Sequence, residues 1–388
     1  MEYIRFILKQ EGVLLSLLYY SLLYNAMLPL STPTVILFCL VFIFMGFKAS
    51  KQIDNIGLLI LLYTITFIFG LYYNDSLHEL SSFLLYSIPP VIFYCFGRFT
   101  IDRLRQGNSI LMFVILTIIF FSGYIYILTI SNIVSSGSMI NMTRELSSEG
   151  DASVAGATLI GLNVSLGMIG LPLFLFIDKK NKLIRYSGFF CFVLSMISVV
   201  FLVNRTGIVV ALNVLIVSTV YYNRHRFAKI ILYLVLFVII YFLLTRCGII
   251  SQEILDAYTE RNVDLDSGGD RFWRWGDALG KIFSYPMGWA KTTGTFHSYV
   301  HNMWLDVARS AGVLPFLLLF ALTIKSLRDM FTLLNQSGDD VALCFLILNV
   351  CILTTSMVEP VMEGAPLYLY LYLMIIGMQR QYCIIKRG

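Results

Sequence analysis

The chain has 388 residues, 58% hydrophobic and only 13% charged, with a net charge of +5 and a mean hydropathy of +0.80. Soluble proteins carry about 25% charged residues, so a water-soluble fold of this size is excluded and lipid is the natural solvent. The positive charge sits in particular loops, which makes it a topology signal; it offers no extended basic face, and no nucleic-acid partner is expected.

Apolar runs at 12–28, 33–47, 56–73, 83–97, 109–130, 155–177, 185–203, 206–222, 228–246, 303–324, 341–358 and 364–378 are twelve candidate spans. The first run lacks a small-residue cleavage site, so no cleavable signal peptide is expected. Nineteen Lys and Arg fall in one alternate set of connecting segments, from Arg5 and Lys9 to Arg380, Lys386 and Arg387, whereas the other short loops hold only Arg144 and Arg205. The positive-inside rule then places both termini in the cytoplasm. The expected fold is an all-α polytopic transmembrane bundle, a single integral membrane domain over 1–388. One long extracytoplasmic loop at 247–302 carries short helices, and a second outer loop near 131–153 is polar and Ser/Gly-rich. Seven scattered cysteines, with no C-x-x-C, read as apolar fillers. No internal repeat is visible, which weighs against a transporter built from duplicated halves.

Three places on the expected outer face carry candidate chemistry. Asn204-Arg205-Thr206-Gly207 joins two apolar runs with almost no loop. Arg205 there is either a snorkelling residue or a fixed cation facing a phosphate, for which its planar fork is suited. In the long loop, Asp270 is a candidate N-cap for a helix of about 13 residues. Its apolar face would be Phe272, Trp275, Ala278, Leu279 and Ile282, lying on the membrane surface. Arg271 and Arg274 fall in its first turn, where an anion is favoured. Asp264, Asp266 and Asp270 read as solvated carboxylates. The third place is His297 to Asp306. His301 stands at the expected outer mouth of a transmembrane helix, where it can accept a proton. Asp306 and Arg309 follow one and two turns on, as a neutralising pair. His297 and His301 lack an obvious third ligand, so no metal is expected.

The order of these pieces resembles the O-antigen ligase and polymerase superfamily of bacterial membrane glycosyltransferases (WaaL-like and Wzy-like). The resemblance is carried by Asn-Arg-Thr-Gly at 204–207, Gly-Gly-Asp-Arg at 268–271, Tyr-Pro-x-Gly at 285–288, and His301-Asn302-x9-Gly312. The ligase often has Gly-x-x-Gly after the histidine; here Gly312 is followed by Val313-Leu314-Pro315. The resemblance implies a donor glycan on undecaprenyl diphosphate, transferred to a sugar hydroxyl without nucleotide sugar, metal or other cofactor, at the periplasmic face of a bacterial inner membrane. It implies Arg205 and Arg271 on the diphosphate, His301 as the base, and Asn302 orienting groups beside it. Arg274, Asp270, Glu359 and Glu363 are further candidates for substrate binding. Polymerisation of repeat units is the expected outcome, beside a chain-length regulator, with ligation to lipid A-core or transport of the lipid-linked glycan as the alternatives.

Overall fold

The computed structural model describes residues 39, 54–77, 80–138, 140–141, 145–146, 155–223, 256, 269–291, 300–359, 361 and 366–387. The expected spans at 12–28, at 33–47 apart from Cys39, and at 228–246 lie outside them, as do His297, Asp264, Asp266 and Glu363. Among the described residues the chain is helical apart from one pair of two-residue strands, β1 (Glu145–Leu146) and β2 (Ala155–Gly156), which pair antiparallel. The helices are α1 (Asn55–Tyr73), α2 (Leu80–Ser87), α3 (Pro89–Leu104), α4 (Gly107–Ser136), α5 (Ala157–Gly167), α6 (Gly170–Phe176), α7 (Lys182–Phe201), α8 (Arg205–Tyr222), α9 (Gly269–Lys281), α10 (Met303–Ala311), α11 (Val313–Gln336), α12 (Asp340–Val358) and α13 (Pro366–Arg387). Five of them, α1, α4, α7, α8 and α12, are long and apolar enough to cross a membrane, which points to a membrane protein.

Three expected spans are not single helices. The run at 83–97 divides into α2 and α3 at Ile88, because Pro89 and Pro90 fit only the first turn of a helix. The run at 155–177 breaks at Met168–Ile169, between α5 and α6. The run at 303–324 divides at Gly312, whose φ of 98° is left-handed territory open to glycine. At the polar loop near 131–153, α4 continues to Ser136 and Glu145–Leu146 forms a strand.

The chain folds as two compact units. One comprises 1–121, 275–345 and 356–388; the other comprises 122–274 and 346–355. In the first unit α3 packs along α13, and α11 along α1. A Cβ at Gly97 would overlap the Met374 carbonyl and one at Gly377 the Tyr94 carbonyl, so small residues let the α3 and α13 backbones approach closely. One end of this unit is tied by a charge cluster. Asp54 caps α1, accepting from Gly57 N at 3.0 Å and from Tyr94 OH at 2.7 Å. Arg380 donates from Nε to Asp54 at 2.9 Å and from Nη1 to Asp329 at 3.3 Å, so one side chain on α13 bridges the start of α1 to α11. Arg98 lies 3.8 Å from Asp54 and donates to Gln381 from both Nε and Nη2 at 3.2 Å. Nearby, Asp339 caps α12 and accepts from Tyr382 OH at 2.6 Å and Lys386 Nζ at 2.9 Å.

In the second unit, α7 packs on α6 and α5, and α8 on both. Buried hydroxyls tie the helices: Tyr126 OH lies 2.6 Å from Ser195 Oγ, Ser198 donates to Thr129 at 3.1 Å, and Ser122 donates to the Asn163 carbonyl at 2.7 Å.

Burial by itself raises the Asp54 carboxyl, but the hydrogen bonds from Tyr94, Gly57 and Arg380 and the charge of Arg98 outweigh it and hold the pKa below that of a free aspartate. The stability this contributes is present above about pH 4, the range of an unfolded aspartate, and is lost as pH falls through the lowered native value. Arg380→Ala is expected to destabilise the solubilised protein by about 2–4 kcal/mol, since it strips a partner from the half-buried Asp54 and the buried Asp329. Thermal melts of wild type should lose midpoint steeply below about pH 4, and Asp54→Asn should start lower and flatten that dependence.

Candidate functional site

The His-Asn-x9-Gly spacing has a direct structural meaning: it is the length of one capped helix. Asn302 is the N-cap of α10, its side chain accepting from Leu305 N at 3.2 Å, and Gly312 ends the nine-residue helix ten positions later. All nine residues of α10 are buried. After Gly312 the chain reverses, and Trp304 Nε1 donates to Thr323 Oγ1 at 3.0 Å, so α10 lies alongside α11 as a hairpin. Ala311 sits against Gly70 near the end of α1 remote from Asp54. His301 therefore lies about 13 Å, the rise of nine helical residues, back from Gly312 toward the charge-cluster end. Asp306 and Arg309 lie between His301 and the elbow, on the stretch of α10 that leads to Gly312.

The hairpin elbow is held by backbone. Trp289 N and Ala290 N both donate to the Arg309 carbonyl, at 2.9 and 3.1 Å, and Val313 N donates to the Pro286 carbonyl at 2.9 Å. Gly288 has φ 94°, and a Cβ on it would sit 2.7 Å from the Arg309 oxygen; one on Gly312 would overlap the Pro286 oxygen. The Tyr-Pro-x-Gly turn and Gly312 are thus two halves of one contact. Asn74, buried at the end of α1, donates to the Met287 carbonyl at 2.6 Å and the Ser310 carbonyl at 3.2 Å. Just outside, Lys291 pairs with Asp75; that hydrogen bond raises the lysine's pKa.

His301 is half-buried and has φ 57°, a conformation rare for a residue with a Cβ. Its neighbours are fixed on every side. Asp306, fully buried, accepts from Val300 N at 2.8 Å and from Asn302 N at 3.1 Å. Trp275 on α9 donates to the Val300 carbonyl at 3.0 Å. Asn302 also donates to the Met357 carbonyl at 3.4 Å, which brings the end of α12, with buried Glu359, to the His301 turn. Asn302 is thus occupied as a cap and tie. Asp306 also has a backbone role that its sequence position suggests, since it falls in the first turn of a helix starting at Met303.

Helix α9 spans Gly269–Lys281, 13 residues, as expected. Asp270 is its second residue and so not its N-cap. The single expected apolar face divides in two. Ala278 and Ile282 pack with Trp289, Val300, Leu305 and Ala308, and Trp275 closes over them, whereas Phe272 and Leu279 are 73% and 56% exposed. Arg271 and Arg274 are half-buried and fall on the protein-facing stripe, in register with Trp275, Ala278 and Ile282.

Arg205 is the first residue of α8. The preceding turn closes α7 with Val203 N donating to Val200 O and Asn204 N to Val199 O, at 3.1 and 2.9 Å, a glycine-type helix stop. Val203 fills it with φ 48°, which for a β-branched residue is strained. Asn204 then caps α8 by accepting from Gly207 N at 3.1 Å. Arg205, Arg271 and Arg274 belong to the second unit, and His301, Asn302 and Glu359 to the first. No group of three or more His, Cys, Asp or Glu positioned to hold a metal occurs among the described residues. No protein-family model and no curated protein matches the chain.

The elbow makes a sharp demand on Gly312 that the exposed face of α9 does not make on Gly280, around which nothing lies within 4 Å. Gly312→Ala is expected to cost more than about 3 kcal/mol or to abolish folded yield, whereas Gly280→Ala should stabilise by about 0.5–1 kcal/mol. Size-exclusion profiles and melts of the two proteins measure the contrast.

Proposed function

We propose that the chain is a bacterial inner-membrane glycosyltransferase of the O-antigen ligase and polymerase superfamily, which joins undecaprenyl-diphosphate-linked repeat units at the periplasmic leaflet. The reading carries with it twelve spans and two cytoplasmic termini. The observation that supports it most is the fixed His301 turn at the foot of α10, with its neighbouring backbone already satisfied by Asp306, Trp275 and Asn302. A base held on a rigid turn within an apolar helical protein suits activation of a hydroxyl. The clustering of Arg98, Arg380 and Lys386 at the end of the first unit opposite the Gly288–Gly312 elbow agrees with the charge rule that puts that end in the cytoplasm.

In this mechanism His301 takes the proton of an acceptor sugar hydroxyl as its oxygen attacks the anomeric carbon of the donor. The bond from that carbon to the diphosphate breaks, and undecaprenyl diphosphate leaves with the electron pair. Arg205 and Arg271 hold its oxygens, and Arg274 and Asp270 lie in the same turn of α9 as Arg271. Two guanidiniums supply bidentate charge without a metal. The inward stripe that Arg271 and Arg274 share with Trp275 favours ligand contact over solvated arginines. Glu359 and Glu363 would meet sugar hydroxyls. The acceptor separates the two readings of the reaction: another carrier-linked repeat unit for a polymerase, lipid A-core for a ligase. The tyrosine- and tryptophan-rich outer loop favours the polymerase, with a chain-length regulator beside it.

His301→Ala is expected to reduce polymerisation of a defined lipid-linked repeat unit by at least about 100-fold, with membrane insertion and flipping, measured separately, unchanged. Unaltered polymer yield would retire the enzyme. Arg205→Ala and Arg271→Ala should each abolish activity; full activity in Arg271→Lys would argue against bidentate phosphate binding. Loss of activity on chelation of the purified protein would count against a metal-free reaction.

A further inference from the structure

We propose that Asp306 is a positioning residue for His301: its carboxylate holds the two backbone amides that flank the histidine and so fixes the turn that presents the imidazole. This rests on the reading of His301 as the base. The geometry is specific. One carboxylate oxygen accepts from Val300 N at 2.8 Å and the other from Asn302 N at 3.1 Å, so the group straddles residue 301. Asp306 N donates back to the Asn302 carbonyl at 2.8 Å, closing the loop from the other side. The side chain is completely shielded from solvent, where such charge-assisted bonds are strong. Between the two clamped amides, His301 has φ 57°, which residues with a Cβ rarely adopt unless the surroundings impose it.

The chemistry needs an aspartate. Two convergent N–H donors require an acceptor on both oxygens. An asparagine keeps one acceptor and turns an N–H₂ donor against the other amide. A glutamate keeps the charge but displaces the carboxylate by one methylene. The competing role, charge balance for Arg309 one turn further along α10, asks only for the charge and would be satisfied by glutamate.

The test uses the full-length chain in detergent or nanodiscs. Diethylpyrocarbonate modification of His301, followed by mass spectrometry across a pH series, reads the imidazole's environment without any glycan substrate. Asp306→Asn and Asp306→Glu are each expected to change the His301 modification rate by about threefold or more, and to lower kcat by about 10–100-fold with KM within about twofold, as misplacement of a catalytic group does. A wild-type modification profile in Asp306→Asn, or wild-type profile and kcat in Asp306→Glu, would overturn the clamp. If neither variant accumulates folded, hydrogen exchange on wild type decides: slow exchange at Val300 and Asn302 amides supports it, and exchange at the rate of open amides overturns it. Altered His301 reactivity combined with full transfer by His301→Ala would retire the enzymatic reading and leave the clamp standing.

Discussion

Two stretches of backbone meet at Gly288 and Gly312 more closely than any side chain would allow, and the placement of His301 follows from that contact. The carbonyls of Pro286 and Arg309 each accept from the opposite strand of the elbow, and Asn74 adds a third tie from α1. With the elbow fixed, α10 has one direction open to it, back alongside α11. Its nine residues then set how far the histidine is carried from Gly312. The same contact positions α9, because the turn that closes on Gly312 directly follows the helix that carries Trp275, Ala278 and Ile282.

Charge is scarce in this protein, and where it gathers it organises. Asp54, Asp329, Arg98 and Arg380 form a neutral cluster of two acids and two bases in which each arginine meets more than one partner. Arginine suits this because its fork reaches two groups at once, where lysine would serve one. The cluster joins the ends of α1, α3, α11 and α13, so the first unit is tied by ion pairs at one end and by backbone at the other. Between them α3 and α13 need only small residues and apolar fit.

Much of this arrangement was legible in the sequence, and what was not has physical causes. The helices with uninterrupted apolar runs, α1, α7, α8 and α12, fall within three residues of expectation, because length and hydropathy alone specify them. The tight turn before Arg205 was legible as Asn-Arg-Thr-Gly, but Val203 gave no sign of a left-handed residue, since composition favours glycine there. The run at 303–324 read as one span because hydropathy is blind to direction: a short helix that doubles back and the helix that follows it have the same composition as a single straight one. Only Gly312, paired with a glycine 24 positions earlier, distinguishes them. Likewise Phe272, Leu279, Trp275 and Ile282 share an apolar character that periodicity assigns to one face, whereas packing against Val300 and Leu305 selects part of it. The backbone bonds of Asn302 and Asp306 were not legible, because sequence lists side chains and omits the backbone groups that need them.

Those backbone groups explain why the site has its particular polar residues. Irregular backbone inside a helical membrane protein leaves N–H and C=O groups that lipid cannot satisfy. Around His301 several such groups have partners: Asp306 takes Val300 N and Asn302 N, Trp275 gives to Val300 O, and Asn302 takes Leu305 N while giving to Met357 O. A turn supported in this way has its shape set by the protein itself. The polar partners that make the turn tolerable in an apolar setting are therefore the same ones that hold its shape. Stability of the turn and orientation of the imidazole are in this respect one requirement, met by the same backbone partners.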